Sequence, residues 1–304
     1  MQNLNEILDK ADIHKPANYD TEKCNMSERE KVREYFKLIL DSQKNEHIEI
    51  LFRGEKKQGL KSKLISKLNS NNSLYDSLFL VGDKAKSYLE KEEKIPHSVR
   101  INSTGKNTAN WIFDEYKLID TESTGTEYFE SESNRDNFTT SIKGKSKLVD
   151  YYLMRLHTWT SKLLVNFVSA TSLFSSASSH GNDFVIILWK TEGYSKHVMI
   201  ASNLRDLENS LSSISLPVIK NFHKSEEEYT FKGFILPHYI LGAYSIGENK
   251  LIINPALLED NNPNWIQDGF EIDDKKFSEF IKKTHYKRFL TLHDNEGFEE
   301  KNTK

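Results

Sequence analysis

A single cysteine, Cys24, is all the thiol chemistry in this sequence. That excludes an internal disulfide and a Cys-rich zinc site, and it fits a reducing cytoplasm. A strong basic excess is also missing. The formal net charge is −3, whereas proteins that coat nucleic acid carry a large positive surplus. A local basic face stays open. No apolar run approaches the roughly 18 to 20 residues of a membrane span, and the opening MQNLNEILDKADIHK is too charged for a secretory signal. A soluble, cytoplasmic chain with no membrane partner is the expectation. The histidines are scattered without metal-ligand spacing, so no metal is expected. There is no internal repeat. Ser103-Thr104-Gly105-Lys106 lacks the first glycine and the closing Ser or Thr of a phosphate loop, which removes that motif.

What is present suffices for a sizeable core, since 304 residues exceed one typical domain but are within reach of a single large one. Ser27-Glu28-Arg29-Glu30 reads as a capping box, which predicts a helix starting there. Its stripe Val32, Tyr35, Phe36, Ile39 and Leu40 packs inward, and the helix stops near 41–44 before a strand from His47 to Arg53. Tyr75 to Leu89 reads as weakly helical or mixed. About 92–147 is rich in Ser, Thr, Asn and acidic residues with few aliphatic positions, the composition of a polar insertion or mobile loop. Tyr152, Leu153, Leu156 and Trp159 predict a helix over 149–165, and NLRDLENSL (203–211) a short one. Strands are expected in 229–244 and 250–253. Asp273-Asp274 caps a further helix carrying Phe277, Phe280 and Ile281, which ends in the basic cluster Lys282, Lys283, Lys287 and Arg288.

Two apolar runs end in polar residues: Ile50-Leu51-Phe52-Arg53-Gly54, and Asn166-Phe167-Val168-Ser169-Ala170-Thr171-Ser172. Ser169 and Thr171 are two apart, so on a strand their hydroxyls share a face. A small-residue stretch, LFSSASSH (173–180), and an apolar strand, FVIILW (184–189), follow in order. This succession resembles the NAD-dependent ADP-ribosyltransferases, in which an aromatic-Arg-Gly strand end precedes aromatic-x-Ser-x-Ser/Thr, a short helix and another strand. The resemblance covers about 47–60 and 163–255, under half the chain. It implies an α+β fold, with two packed, mostly antiparallel sheets forming an NAD cleft. A helical segment at 1–46 would precede a catalytic domain at 47–290 that carries the 92–147 insertion, and 291–304 would be a flexible tail.

The resemblance also distributes roles. Arg53 would bind the NAD diphosphate, its planar guanidinium forking onto phosphate oxygens. At Gly54 the backbone would meet the nicotinamide amide, and a side chain would obstruct it. Ser169 would orient the catalytic glutamate and the ribose, with Thr171 beside it, and Tyr151, Tyr152 or Tyr229 would stack on nicotinamide. The family's Glu-x-Glu falls on Glu226-Glu227-Glu228, with Glu228 as the catalytic carboxylate and Glu226 orienting the acceptor. Aligning Phe234-Ile235-Leu236-Pro237 instead places Gly233 where the glutamate belongs, which would make the chain a catalytically degenerate binding or interaction module. Ser169 as a hydrolase nucleophile lacks a glycine-flanked elbow and a histidine placed by motif. Glu-x-Glu favours a protein arginine acceptor, while the basic runs after Arg53 and around Lys282 suit an RNA or DNA acceptor. Related intracellular enzymes act as toxins or in phage defence, so a neutralising antitoxin is an expected partner.

Overall fold

The computed structural model describes residues 2–17, 20–44, 48–58, 75–79, 106–119, 121–124, 126–159, 167–191, 198–219, 227–232, 235 and 239–258. Helix α1 (Gln2–Lys10) is followed by strands β1 (Asp12–Ala17) and β2 (Asp20–Lys23), helix α2 (Met26–Lys44) and strand β3 (Ile48–Glu55). Then come helices α3 (Lys106–Lys117), α4 (Arg135–Ile142) and α5 (Ser146–Trp159), strand β4 (Phe167–Thr171), helix α6 (Phe174–Gly181) and strand β5 (Phe184–Thr191). Strand β6 (Val198–Ile200), helix α7 (Ala201–Arg205) and strands β7 (Glu228–Lys232), β8 (Ile240–Ser245) and β9 (Lys250–Ile253) follow, and single helical turns such as Thr121–Thr124 and Glu208–Leu211 lie between these longer elements. The class is α+β, with mostly antiparallel pairing. The helix expected after Asp273, the Lys282 cluster, the 291–304 tail, Gly233 and Glu226 lie outside the described residues.

The chain divides into two compact units. The first comprises Met1–Glu92, Ala170–Lys196 and Ile235–Lys304. Its strands run in the order β2-β1-β9-β8-β5-β3, and every pair is antiparallel except β1 with β9. Strand β5 is an interior strand, paired with β3 on one side and β8 on the other, and it buries Phe184, Val185, Ile187, Leu188 and Trp189. A strand covered on both faces reads as a continuous apolar run, which is why this one was legible in the sequence. The last residue of β4, Thr171, pairs with Phe52 of β3.

Two details of this unit depart from expectation. The 1–46 segment is not only helical, because β1 joins the sheet by setting Ile13 beside Leu251. Its sequence, DIHKPA, has Pro16 and charged neighbours, so little apolar alternation marks it as a strand. Helix α2 does bury Val32, Phe36 and Ile39, but its capping box is shifted from Ser27 to Asn25. Asn25 Oδ1 accepts the Glu28 N–H at 3.0 Å, and the Glu28 carboxylate accepts the Asn25 N–H at 2.8 Å. Asparagine caps as well as serine, and the same three-residue spacing to a glutamate occurs two residues earlier. Cys24, just before the cap, is 1% exposed, and burial pushes its thiol up to about 11. The expected result is that Ellman's reagent at pH 8 leaves Cys24 unmodified in the native protein and reacts stoichiometrically after denaturation. Rapid native reaction would contradict this packing.

The second unit comprises Glu93–Ser169 and His197–Phe234. It contains α3, α4, α5 and α7, and its strands run β4-β7-β6, with Val198 to Ile200 antiparallel to Phe231 to Tyr229. Where composition predicts a polar insertion over about 92–147, the described residues between 106 and 147 instead contribute to a hydrophobic core, and 92–105 lie outside the described residues. Ile112, Phe113 and Tyr116 on α3, Phe129, and Phe138 and Ile142 on α4 are all buried. Four aromatics and two isoleucines are enough, since each aromatic buries on the order of 150–250 Å². Averaging over the polar residues between them hides this apolar set. Arg155 is buried here too, donating to Glu208 at 2.8 Å with its guanidinium 5.5 Å from the Tyr151 ring centroid. A buried charge held by a carboxylate and a ring face is compensated. Among the described residues, no helix is long and apolar enough to cross a membrane.

Candidate functional site

Strand β7 opens on Glu228, directly after Glu227, whose φ of 40° turns the backbone sharply into the strand. The Glu228 carboxylate takes two hydroxyl donors on one oxygen. Ser169 Oγ donates to Oε1 at 2.6 Å, and Thr230 Oγ1 donates to the same atom at 3.0 Å. Thr230 is two residues farther along β7, on the same face as Glu228, and is fully buried. Hydrogen bonds to an ionised acceptor are shorter and roughly twice as strong as neutral ones. The carboxylate is thus tied to both β4 and its own strand, in a fixed orientation. On its other side Ser169 Oγ lies 2.9 Å from Nε2 of His157, near the C-terminus of α5.

Sequence motifs point to Ser169 and Glu228 but not to His157 and Thr230. Both left a signal. Thr230 shares the strand parity of Glu228, and His157 follows Leu153 by one helical turn, on the apolar stripe of α5. A histidine on such a stripe faces other groups of the fold, and here it faces Ser169.

In the first unit, Arg53 is near the end of β3 with its side chain 28% exposed, and its Nε donates to Glu55 Oε1 at 2.9 Å. Arg53 and Glu55 are two apart on the strand and share a face, so the carboxylate orients the guanidinium. Beside it, Gly54 is pressed against α6. A Cβ there would lie 1.9 Å from the Ala177 carbonyl oxygen and 2.5 Å from the Gly181 nitrogen. The expectation that Gly54 is bare to admit nicotinamide therefore competes with a packing requirement seen directly. Thr171 Oγ1 accepts the Leu173 N–H at 3.0 Å and shapes the turn into α6. The Phe174 and Phe52 rings meet in a T-shaped arrangement, with centroids 5.5 Å apart.

Comparison with protein-family models, curated proteins and solved structures returned no match. Chemical meaning must therefore come from the geometry itself. Tyr152 is corrected by it. The ring is fully buried in the second unit, edge-on to Phe138 at 4.9 Å and to Tyr116 at 5.8 Å, and its hydroxyl donates to the Pro217 carbonyl at 2.9 Å. Both faces and the polar tip are used by the core, which leaves no surface for stacking on nicotinamide. Tyr151 is equally buried, its hydroxyl accepting the Ile219 N–H at 3.1 Å. Two adjacent helix tyrosines satisfied this way are core residues with a polar handle. Among the described residues no group of three or more His, Cys, Asp or Glu is placed to hold a metal ion.

Proposed function

We propose that the chain is an NAD-dependent mono-ADP-ribosyltransferase, and the observation that carries this is the 2.6 Å hydrogen bond from Ser169 Oγ to Glu228 Oε1. The reaction breaks the bond between ribose and nicotinamide. Nicotinamide leaves with the bonding pair, positive charge develops on the ribose, and an acceptor nucleophile closes on that carbon and loses a proton. A carboxylate fixed before the reaction stabilises such charge without reorganising. Ser169 and Thr230 supply that fixity. On this proposal NAD is held in a cleft of two packed, mostly antiparallel sheets. Arg53 binds its diphosphate, the Gly54 backbone and Thr171 contribute to the same NAD-binding function, and Glu226 orients the acceptor. The acceptor is a macromolecule, either protein arginine or RNA or DNA. An intracellular toxin or phage-defence effector acting in the cytoplasm, neutralised by an antitoxin, is the biological setting that fits such an activity.

The test is nicotinamide release from NAD by the full chain, together with labelling of a cell extract by tagged NAD and digestion with nuclease or protease. Binding without consumption would support the degenerate module instead. Arg53→Ala should abolish measurable NAD binding while the circular dichroism spectrum is unchanged. Each hydrogen bond to a charged group is worth about 1.5–3 kcal/mol, so losing a fork of two weakens binding by roughly two orders of magnitude or more. Arg53→Lys should also bind poorly, since a point charge does not reproduce the fork. Normal NAD affinity in the alanine variant would remove Arg53 from the site.

One contact favours a second reading. His157 Nε2 at 2.9 Å from Ser169 Oγ is the spacing of a base and a serine nucleophile. Against it, the Ser169 proton is directed to Glu228 and the serine is on a strand with no elbow. A fluorophosphonate probe separates the two: covalent labelling of Ser169 would establish acyl-transfer chemistry.

A further inference from the structure

Ser169 has one hydroxyl proton, and both Glu228 and His157 lie within hydrogen-bond distance of its Oγ. Its Oγ donates to Glu228 Oε1 at 2.6 Å and lies 2.9 Å from His157 Nε2. A hydroxyl offers a single O–H together with two lone pairs, and an ionised carboxylate only accepts. Once the proton goes to Glu228, the contact with the imidazole is a hydrogen bond only if Nε2 carries the hydrogen. We infer that His157 is a positioning residue, held as the Nε2–H tautomer. It donates to Ser169 Oγ and so commits the serine proton to Glu228.

The two tautomers have opposite consequences for the carboxylate. With the hydrogen on Nδ1, Nε2 becomes an acceptor and competes for the serine proton. The hydroxyl then turns toward α5, and Glu228 loses its shortest hydrogen bond. Thr230 still donates to Oε1 from a buried position at 3.0 Å, so the carboxylate is loosened, not released. His157 touches neither the reacting ribose nor its leaving group on this account. The influence argued for it passes through Ser169, and the kinetic part rests on the transferase reading. Fixing a carboxylate that acts at the transition state lowers the barrier to chemistry and leaves substrate affinity unchanged. The effect belongs in kcat and not in KM.

Two measurements on the full chain decide this, and one of them does not depend on turnover. Long-range proton–nitrogen NMR correlation of the imidazole nitrogens should show His157 protonated at Nε2 and bare at Nδ1. The reverse tautomer overturns the inference, whatever the protein does to NAD. In the second, His157→Ala should lower kcat for NAD hydrolysis about tenfold with KM unchanged, the size expected for one hydrogen bond acting in the transition state. His157→Gln should restore most of that loss, because its side-chain amide donates an N–H from a similar reach. Wild-type kcat in His157→Ala, or a loss that appears in KM and is not rescued by Gln, overturns the positioning role. Absence of nicotinamide release from the wild-type chain would instead defeat the transferase reading, and the tautomer measurement would still decide His157.

Discussion

Glu228→Gln is expected to abolish NAD hydrolysis and transfer while leaving NAD affinity close to that of the wild type. The substitution isolates charge from position. Glutamine keeps the length of the side chain, and its carbonyl oxygen can still accept from Ser169 and Thr230, the donors now 2.6 Å and 3.0 Å from Oε1. What disappears is the negative charge that the proposed reaction requires next to the ribosyl cation. Removing one electrostatic group from a preorganised site costs roughly 10²–10³ in kcat, and a full charge belongs at or above the upper end. Ser169→Ala keeps the charge and loosens its tether, so it should cost about tenfold, the worth of one hydrogen bond. Nicotinamide release and calorimetric NAD titration check both variants. A Glu228→Gln protein that hydrolyses NAD at the wild-type rate would place the catalytic acid elsewhere. Glu226→Gln should behave differently, impairing transfer to the acceptor and sparing hydrolysis.

What could be read from the chain beforehand follows the range of the forces involved. Strand β5, helix α6 and strand β4, which carries Ser169 and Thr171, are local patterns, and each formed where its sequence predicts. The capping box of α2 was displaced because two overlapping segments satisfy the same local rule, and only the preceding strand pair selects Asn25. Strand β1 was hidden because its identity is conferred by a partner far away in sequence: Ile13 becomes a strand residue by lying beside Leu251. The core of the second unit was hidden by dilution, its aromatics being spread through a polar stretch. Tyr152 shows a different failure. Its residue type suits nicotinamide stacking, but burial among Tyr116, Phe129 and Phe138 removes it from any ligand, and residue type says nothing about burial. For His157 the sequence offered helical parity but not the partner, since a contact between α5 and β4 is tertiary and no local pattern encodes it.

Gly54→Ala should be the most destabilising single methyl in the described chain. A Cβ at Gly54 would lie 1.9 Å from the Ala177 carbonyl oxygen, and one at Gly181 would lie 2.4 Å from the Glu55 nitrogen. Both obstacles are backbone, so no rotamer change relieves them. Helix α6 rests directly on β3, glycine against glycine, and a methyl on either side must lift the helix. Overpacking in a well-packed core costs about 1–3 kcal/mol, and a clash with backbone belongs at or beyond the top of that range. The urea midpoint should fall accordingly with the slope unchanged. Gly181→Ala should fall similarly, and the double variant should lose less than the sum, because a helix displaced by one methyl has already made room for the other. This separates packing from ligand recognition at the same residue. If the bare α-carbon serves only close approach of nicotinamide, Gly54→Ala will weaken NAD binding in a protein of normal stability. If it seats α6, the loss of stability appears with no NAD present, and any loss of affinity follows from the displaced strand end that carries Arg53.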